Sequence, residues 1–286
     1  MILQNIETAS RYLPSLNWKM DSTRLDDFFD RSQKWVVEKI IGTDIEDLLE
    51  EALQEGQEDP HSELRKLTCR VIGEHAYLCA VAEMDLQLSE AGFVVQSNDA
   101  VSPASQQRTD RLVSSLKDRL AADCDALVRY LWQNSGDGKA YGDWRGSFQF
   151  RYLSAAFIPR MVVLLQYTNG IEKRVETWEE FYNLIPMMAN ALKTTVASYC
   201  SIEQIETLLE LYRNNELLET HRKAIRFIEM AVVASVVGTK EDVIHYSIEA
   251  RNYMIKHESD FADFAESDIR ELPGISFDAG GIVNTL

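Results

Sequence analysis

The sequence predicts a mainly α protein: a helical bundle with two four-helix units in matching order, a short β-hairpin or strand element, and an extended C-terminal arm. Three observations lead there. Apolar residues recur at helical spacing along most of the chain, between Ser, Thr or Asp start signals and glycine stops. Strand signals are confined to GFVV at Gly92–Val95 and to the apolar runs either side of Asn169-Gly170. Glu271–Leu286 carries Pro273, Gly274, Gly280 and Gly281 around ISF and IVN, which excludes a helix there.

The first helix begins near Asp21 or Ser22. Leu25, Phe28, Phe29, Ser32, Trp35, Val36 and Ile40 fall on one face, and Gly42 stops it. Thr43-Asp44-Ile45-Glu46 then reads as a capping box, with Thr43 accepting from the new helix's amides and Glu46 reaching back. Asp59 as N-cap and Pro60 in the first turn open a third helix, striped by Leu64, Leu67, Val71, Ile72 and Leu78. The polar loop Asp85–Leu112 holds GFVV. Ser102-Pro103 starts a fourth helix with Leu112, Leu116, Leu120, Leu127 and Leu131 inward. Asn134–Ser147 contains four glycines and reads as a boundary or long exposed loop. Met161–Thr168 and Ile171–Val175 flank Asn169-Gly170, so a β-hairpin is expected, although MVVLLQY also suits a helix.

The second half repeats this grammar. Thr177-Trp178-Glu179-Glu180 is a capping box for a helix in which Pro186 marks a kink or a late start. Ser201-Ile202-Glu203-Gln204 is another, and Ile205–Glu210 echoes Ile45–Glu50. A helix from Leu217 to Val237 closes at Gly238, and Thr239 caps the next. Internal duplication and chance likeness between amphipathic helices both fit this pattern. The expected division is a helical unit over 1–133, a Gly-rich loop and β-hairpin over 134–176, a second helical unit over 177–268 and the arm over 269–286. A disordered terminus is the default expectation for residues 271–286, and their two apolar triplets also suit an arm that adds to a partner's sheet edge or fills a neighbour's groove.

Composition narrows the function. The 286 residues are 45% apolar and 26% charged, an ordinary globular balance, with a formal charge of −17. So acidic a chain is repelled by phosphate backbones, which argues against nucleic-acid binding through a basic face; on charge alone the favoured reading is solubility, and the other is a surface past which DNA moves without sticking. Cys69, Cys79, Cys124 and Cys200 lie in apolar helical contexts without CxxC spacing, the pattern of a reduced, cytoplasmic history. MILQNIETASRYL is not a signal peptide, and Met230–Val237 is far short of the roughly 20 residues that span a bilayer. No membrane association is expected.

No catalytic or metal-binding cluster stands out, and no cofactor is expected. The histidines are scattered, and Asp242-x-x-His245 lacks a second carboxylate–histidine motif to complete a di-metal site. His75 and His221 sit on apolar faces, where a hydrogen-bonded core histidine is the favoured reading. Asp26, Asp27 and Asp30 complement a helix dipole. Gly138-Lys139-Ala140 lacks the hydroxyl residue and the spaced glycine of a P-loop. Tyr141 and Asp143-Trp144-Arg145 form either an aromatic contact site or, as favoured, a loop pinned to the core by Trp144.

Residues 22–132 resemble the head–tail connector (head-completion adaptor) proteins of tailed bacteriophages. The resemblance is carried by LDDFFDRSQKWVVEKIIG (Leu25–Gly42), by DPHSELRKLTCRVIGEHAYLCAVAEMDLQLSEAGFVV (Asp59–Val95) and by SPASQQRTDRLVSSLKDRLAADCDALVRYL (Ser102–Leu131). It implies a non-enzymatic virion protein in the head–tail neck, made in the bacterial host cytoplasm. Such a protein forms a homo-oligomeric ring, usually of twelve copies, that binds the portal protein and a tail or second adaptor protein. DNA passes through its channel without specific binding. Subunit or portal contacts then fall to Phe93, Val94 and Val95 in the loop, and to Ile275, Phe277, Ile282 and Val283 in the arm. This chain is longer than many connectors, which leaves residues 150–286 without an assigned role. The alternatives are a cytoplasmic helical protein–protein interaction scaffold and a helical-bundle enzyme using Asp242 and His245.

Overall fold

The structure, a computed structural model, describes residue 2 and residues 23–51, 59–84, 87–89, 92–94, 106–168, 175–271, 275–278 and 281–284. The chain divides into two compact units. Unit 1 is Met1–Phe150 with Glu176–Trp178, and unit 2 is Arg151–Val175 with Glu179–Leu286. The protein is mainly helical, as expected.

In unit 1, helix α1 (Thr23–Val36) buries Leu25, Phe28, Phe29, Ser32 and Val36, the face that its spacing marks out. Its end widens into a π-helical turn, Val37–Ile41, and closes at Gly42 with φ 78°. The left-handed backbone favours glycine there, and a Cβ would also press at 3.0 Å on Gln149 Oε1, the movable end of a side chain. Helix α2 (Thr43–Glu50) begins at Thr43 itself, with Gly42 as its N-cap and no side-chain cap bond. The expected Thr43 box is therefore not formed. Glu46 is taken instead by Gln33, whose Nε2 donates to Glu46 and to Glu50 at 2.7 Å each. The Oε1 of the same buried amide accepts from the Ile2 amide at 2.8 Å, so Gln33 ties α1 to α2 and to the chain near its start.

Helix α3 (Ser62–Met84) starts two residues after Pro60. The Asp59 carboxylate accepts from the His61 amide at 2.9 Å and from Arg65 Nε at 2.6 Å, while the Arg65 guanidinium also donates to the Leu49 carbonyl. Burial works to raise the Asp59 pKa, but Arg65 and the His61 amide outweigh it and hold the carboxyl below its usual range. Strands β1 (Gln87–Ser89) and β2 (Gly92–Val94) pair antiparallel. Helix α4 (Gln106–Asn134) packs along α3 with Leu116, Leu120, Leu127 and Leu131 buried and Leu112 only half-buried. The glycine-rich segment that follows is part of unit 1. It forms a 3-10 turn, Gly142–Gly146, in which Trp144 is 1% exposed and donates from Nε1 to the Ile40 carbonyl at 2.8 Å. Trp144 thus pins the loop to the core, as favoured. Helix α5 (Phe148–Leu153) follows.

Unit 2 overturns one expectation. Met161–Gln166, the first arm of the expected β-hairpin, is helix α6. Met161 and Leu164, three residues apart, are buried, while Val162 and Leu165 are exposed, so the run packs on a helical period. Residues 169–174, which hold Asn169-Gly170, lie outside the described residues. Helix α7 (Trp178–Ala191) runs through Pro186, which excludes a late start. Proline has no N–H for the carbonyl four residues back, and Tyr152 Oη donates to that Tyr182 carbonyl at 3.2 Å in its place. After a π-helical turn, Leu192–Val196, and α8 (Ala197–Cys200), Ser201 at φ 64° caps α9 (Ile202–Asn214), its hydroxyl accepting from the Gln204 amide at 3.4 Å. Gln204 does not close the box; its Oε1 accepts from the Phe264 amide at 3.1 Å.

Helix α10 (Glu219–Val237) ends at Gly238, and α11 (Lys240–Lys256) opens on a complete capping box. Thr239 Oγ1 accepts from the Asp242 amide at 3.2 Å, and Asp242 Oδ2 accepts from the Thr239 amide at 3.1 Å. Thr239→Ala is accordingly expected to cost about 1 kcal/mol, read as a lowered urea midpoint with unchanged slope. A short helix, α12 (Ala262–Ala265), precedes strands β3 (Ile275–Asp278) and β4 (Gly281–Asn284). The two units share an order of parts. Each has a helix that runs into a π-turn (α1, α7), continued in unit 2 by α8, then a residue at positive φ (Gly42, Ser201), a new helix (α2, α9) and two long helices (α3–α4, α10–α11).

Candidate functional site: two ribbons and two desolvated carboxyls

Of the residues singled out for contact, all but Val95 fall in two β-ribbons, one in each unit. Leu88 stands opposite Phe93, and Gln87 opposite Val94; Val95 lies outside the described residues. The C-terminal arm is not a lone extended strand. Phe277 pairs with Ile282, Ser276 with Val283 and Ile275 with Asn284, because two apolar triplets close in sequence can satisfy each other's backbone. By the two-residue period of a strand, positions Ile275, Phe277 and Ile282 share one face, with Val283 on the other. Among the described residues each ribbon has only two strands, the arrangement to which a further strand can add.

The structure also assembles two acidic centres that motif reading passed over. Where α3 meets α4, Glu74 is 4% exposed; Arg119 Nε stands 3.5 Å from its Oε1, and Arg70 stands 3.8 Å from Asp123 Oδ1. Burial first, and then the Asp123 carboxylate, raise the Glu74 pKa, against a weaker pull from Arg119 and Arg70. In unit 2, Tyr167 Oη donates to Glu229 Oε2 at 2.6 Å. Burial pushes Glu229 up to about 7, with the Tyr167 bond and Arg226 opposing it. The sequence did carry a signal for both. Glu74 interrupts the stripe Leu67, Val71, Leu78, and Glu229 stands between Ile225, Ile228 and Val232.

His75 and His221, the two histidines on apolar helix faces, each have a hydrogen-bond partner. His75 stacks on Trp35 at 4.2 Å with Ser32 Oγ 2.9 Å from its Nδ1. That pair has the distance of a nucleophile and its base, but Ser32 is 1% exposed and cannot meet a substrate. His221 Nδ1 accepts from the Leu218 amide at 3.3 Å, so its proton sits on Nε2, which donates to the Asp260 carbonyl at 2.8 Å. Asp242 is held in the Thr239 box. Among the described residues, no three His, Cys, Asp or Glu are grouped to hold a metal ion, and no helix is long and apolar enough to cross a membrane. Burial pushes the Cys69 and Cys200 thiols up to about 12, which leaves them inert at neutral pH.

A family of unknown function (DUF6712) matches residues 26–152, less than half of the chain. That span runs from α1 to the end of α5 and takes in the β1–β2 ribbon. No curated protein and no solved structure matches.

Proposed function

We propose that the chain is a structural virion protein: a head–tail connector subunit whose ring joins the portal to the tail and extends the DNA channel. The observation that carries this reading is the β1–β2 ribbon set between the two longest helices of unit 1, the same order of parts on which the resemblance rests. A closed ring needs heterologous contacts, each copy offering one surface and accepting another, and a two-stranded ribbon suits that role. The formal charge of −17 suits a wall that DNA passes without being held. We also read unit 2 as a diverged copy of unit 1. The recurring π-turn and positive-φ residue before the second helix of each set support this, and amphipathicity alone does not explain them.

Two measurements test the proposal. The chain is expected among the proteins of purified particles by mass spectrometry, and as a closed ring by negative-stain electron microscopy once portal protein is added. Absence from particles overturns it, and a monomer indifferent to portal protein favours the interaction scaffold. Phe93→Asp and Phe277→Asp are each expected to weaken assembly by about tenfold or more, with the melting temperature of each free variant measured alongside to separate lost contact from lost folding.

A further inference from the structure

Where α10 turns into α11, unit 2 holds a cavity of about 380 Å³, large enough for a small ligand. We propose that it binds an organic cation: an ammonium or guanidinium group on the Asp242 carboxylate, with its apolar part against Tyr167 and Tyr246. Local geometry makes the cavity. Gly238 lets α11 turn back closely on the last turn of α10, because a Cβ there would stand 2.9 Å from Ala234 Cα. Asp242, in the first turn of α11, then shares the cavity wall with Met230 and Val233 of α10, and Gln166 and Tyr167 join it from the end of α6.

The walls select the ligand. Asp242 accepts from the Thr239 amide at 3.1 Å and from the Thr239 hydroxyl at 2.7 Å, both through Oδ2. Among the described residues no Lys, Arg or His pairs with Asp242, so Oδ1 and the charge are left for a donor in the cavity. The same two bonds fix the carboxylate in place before any ligand arrives. The Tyr167 hydroxyl is engaged by Glu229 at 2.6 Å, so Tyr167 offers its ring. Tyrosine rings attract a cation at their faces, and Met230 and Val233 add apolar surface that a bare ammonium ion does not use. Asp242 repels an anionic ligand, and a neutral apolar one desolvates the carboxylate without pairing it. The cation comes from a free amine or from a lysine or arginine side chain of a partner, and the site does not depend on the connector reading.

NMR titration of the full chain with phenethylammonium is expected to give a Kd in the millimolar range, typical of so small a ligand. Binding is expected to weaken about tenfold or more for 2-phenylethanol, which lacks the charge, and for methylammonium, which lacks the apolar part. A chain of charge −17 attracts any cation, so Asp242→Asn locates the binding. It removes one charge among many, can still accept from Thr239, and is expected to lose about tenfold in affinity for phenethylammonium. Unchanged affinity in this variant overturns the proposal. So does a wild type that binds the alcohol as tightly as the amine, a result that needs no variant. N-acetyl-lysine amide and N-acetyl-arginine amide separate the sources: either one binding more tightly than phenethylammonium assigns the site to a partner's side chain, and both binding more weakly assign it to a free amine. A wild type that binds none of the three overturns it.

Discussion

Replacing Trp144 with alanine is expected to destabilise unit 1 by about 3–5 kcal/mol, the range for truncating a buried tryptophan. The side chain is 1% exposed, packs edge-on against Phe150 at 5.2 Å between centroids and donates to the Ile40 carbonyl in the π-turn that ends α1. Its loss opens a cavity and leaves that carbonyl without this donor. It also frees the loop from which Ser147 Oγ accepts the Phe150 amide at 3.2 Å. Trp144→Phe keeps the ring packing and loses the bond, so it should cost less, roughly 1–2 kcal/mol. Trp35, Trp132, Trp144 and Trp178 all belong to unit 1, so tryptophan fluorescence during urea unfolding reads this unit. A loss below 1 kcal/mol for Trp144→Ala, on the scale of an exposed residue, would show the loop to be dispensable to the core.

Glu229→Gln is expected to act in the opposite direction, stabilising unit 2 at neutral and alkaline pH. The folded chain binds the Glu229 proton up to about 7, against an ordinary value of 4.5. Between those values the native state holds more protons than the unfolded one, so stability falls as pH rises through the interval and levels off above it. The full difference corresponds to up to about 3 kcal/mol. Glutamine removes the charge and still accepts the Tyr167 hydroxyl that the structure places 2.6 Å from Glu229. The variant should therefore match the wild type at pH 4 and exceed it at pH 8, as followed by far-UV circular dichroism with fluorescence as the unit 1 reference. Equal stability of the two proteins at pH 8 would mean that Glu229 is solvated.

Much of the fold is legible locally. The face of α1, the stop at Gly42, the cap at Thr239 and the end of α10 at Gly238 each depend on a few neighbouring residues and appear where the spacing puts them. The failures have a common cause. Thr43 offers a good capping box, but Gln33 in the preceding helix takes Glu46 first. Met161–Gln166 has the apolar content of a strand and a hairpin dipeptide beyond it, yet the burial of Met161 and Leu164 selects a helix. The first strand of the ribbon, Gln87–Ser89, is too polar to announce itself, and only its pairing with Gly92–Val94 identifies it.

The same boundary separates the two kinds of candidate site. Phe93, Phe277 and their neighbours were readable because apolar residues in a polar, glycine-flanked stretch stand out within a single segment. Glu74 and Arg119 lie on different helices and come together only when α3 packs on α4; Tyr167, just past α6, meets Glu229 only when α10 packs beside it. By itself the sequence determined a mainly helical chain, its caps and stops, its acidic balance and the two stretches suited to contact. Those depend on periodicity and on interactions within a turn or two. The tertiary structure alone decided which carboxyls leave water, which bonds replace a missing cap or proline N–H, and that the C-terminal triplets pair with each other. Desolvation and long-range hydrogen bonding belong to surfaces that exist only after the helices have packed.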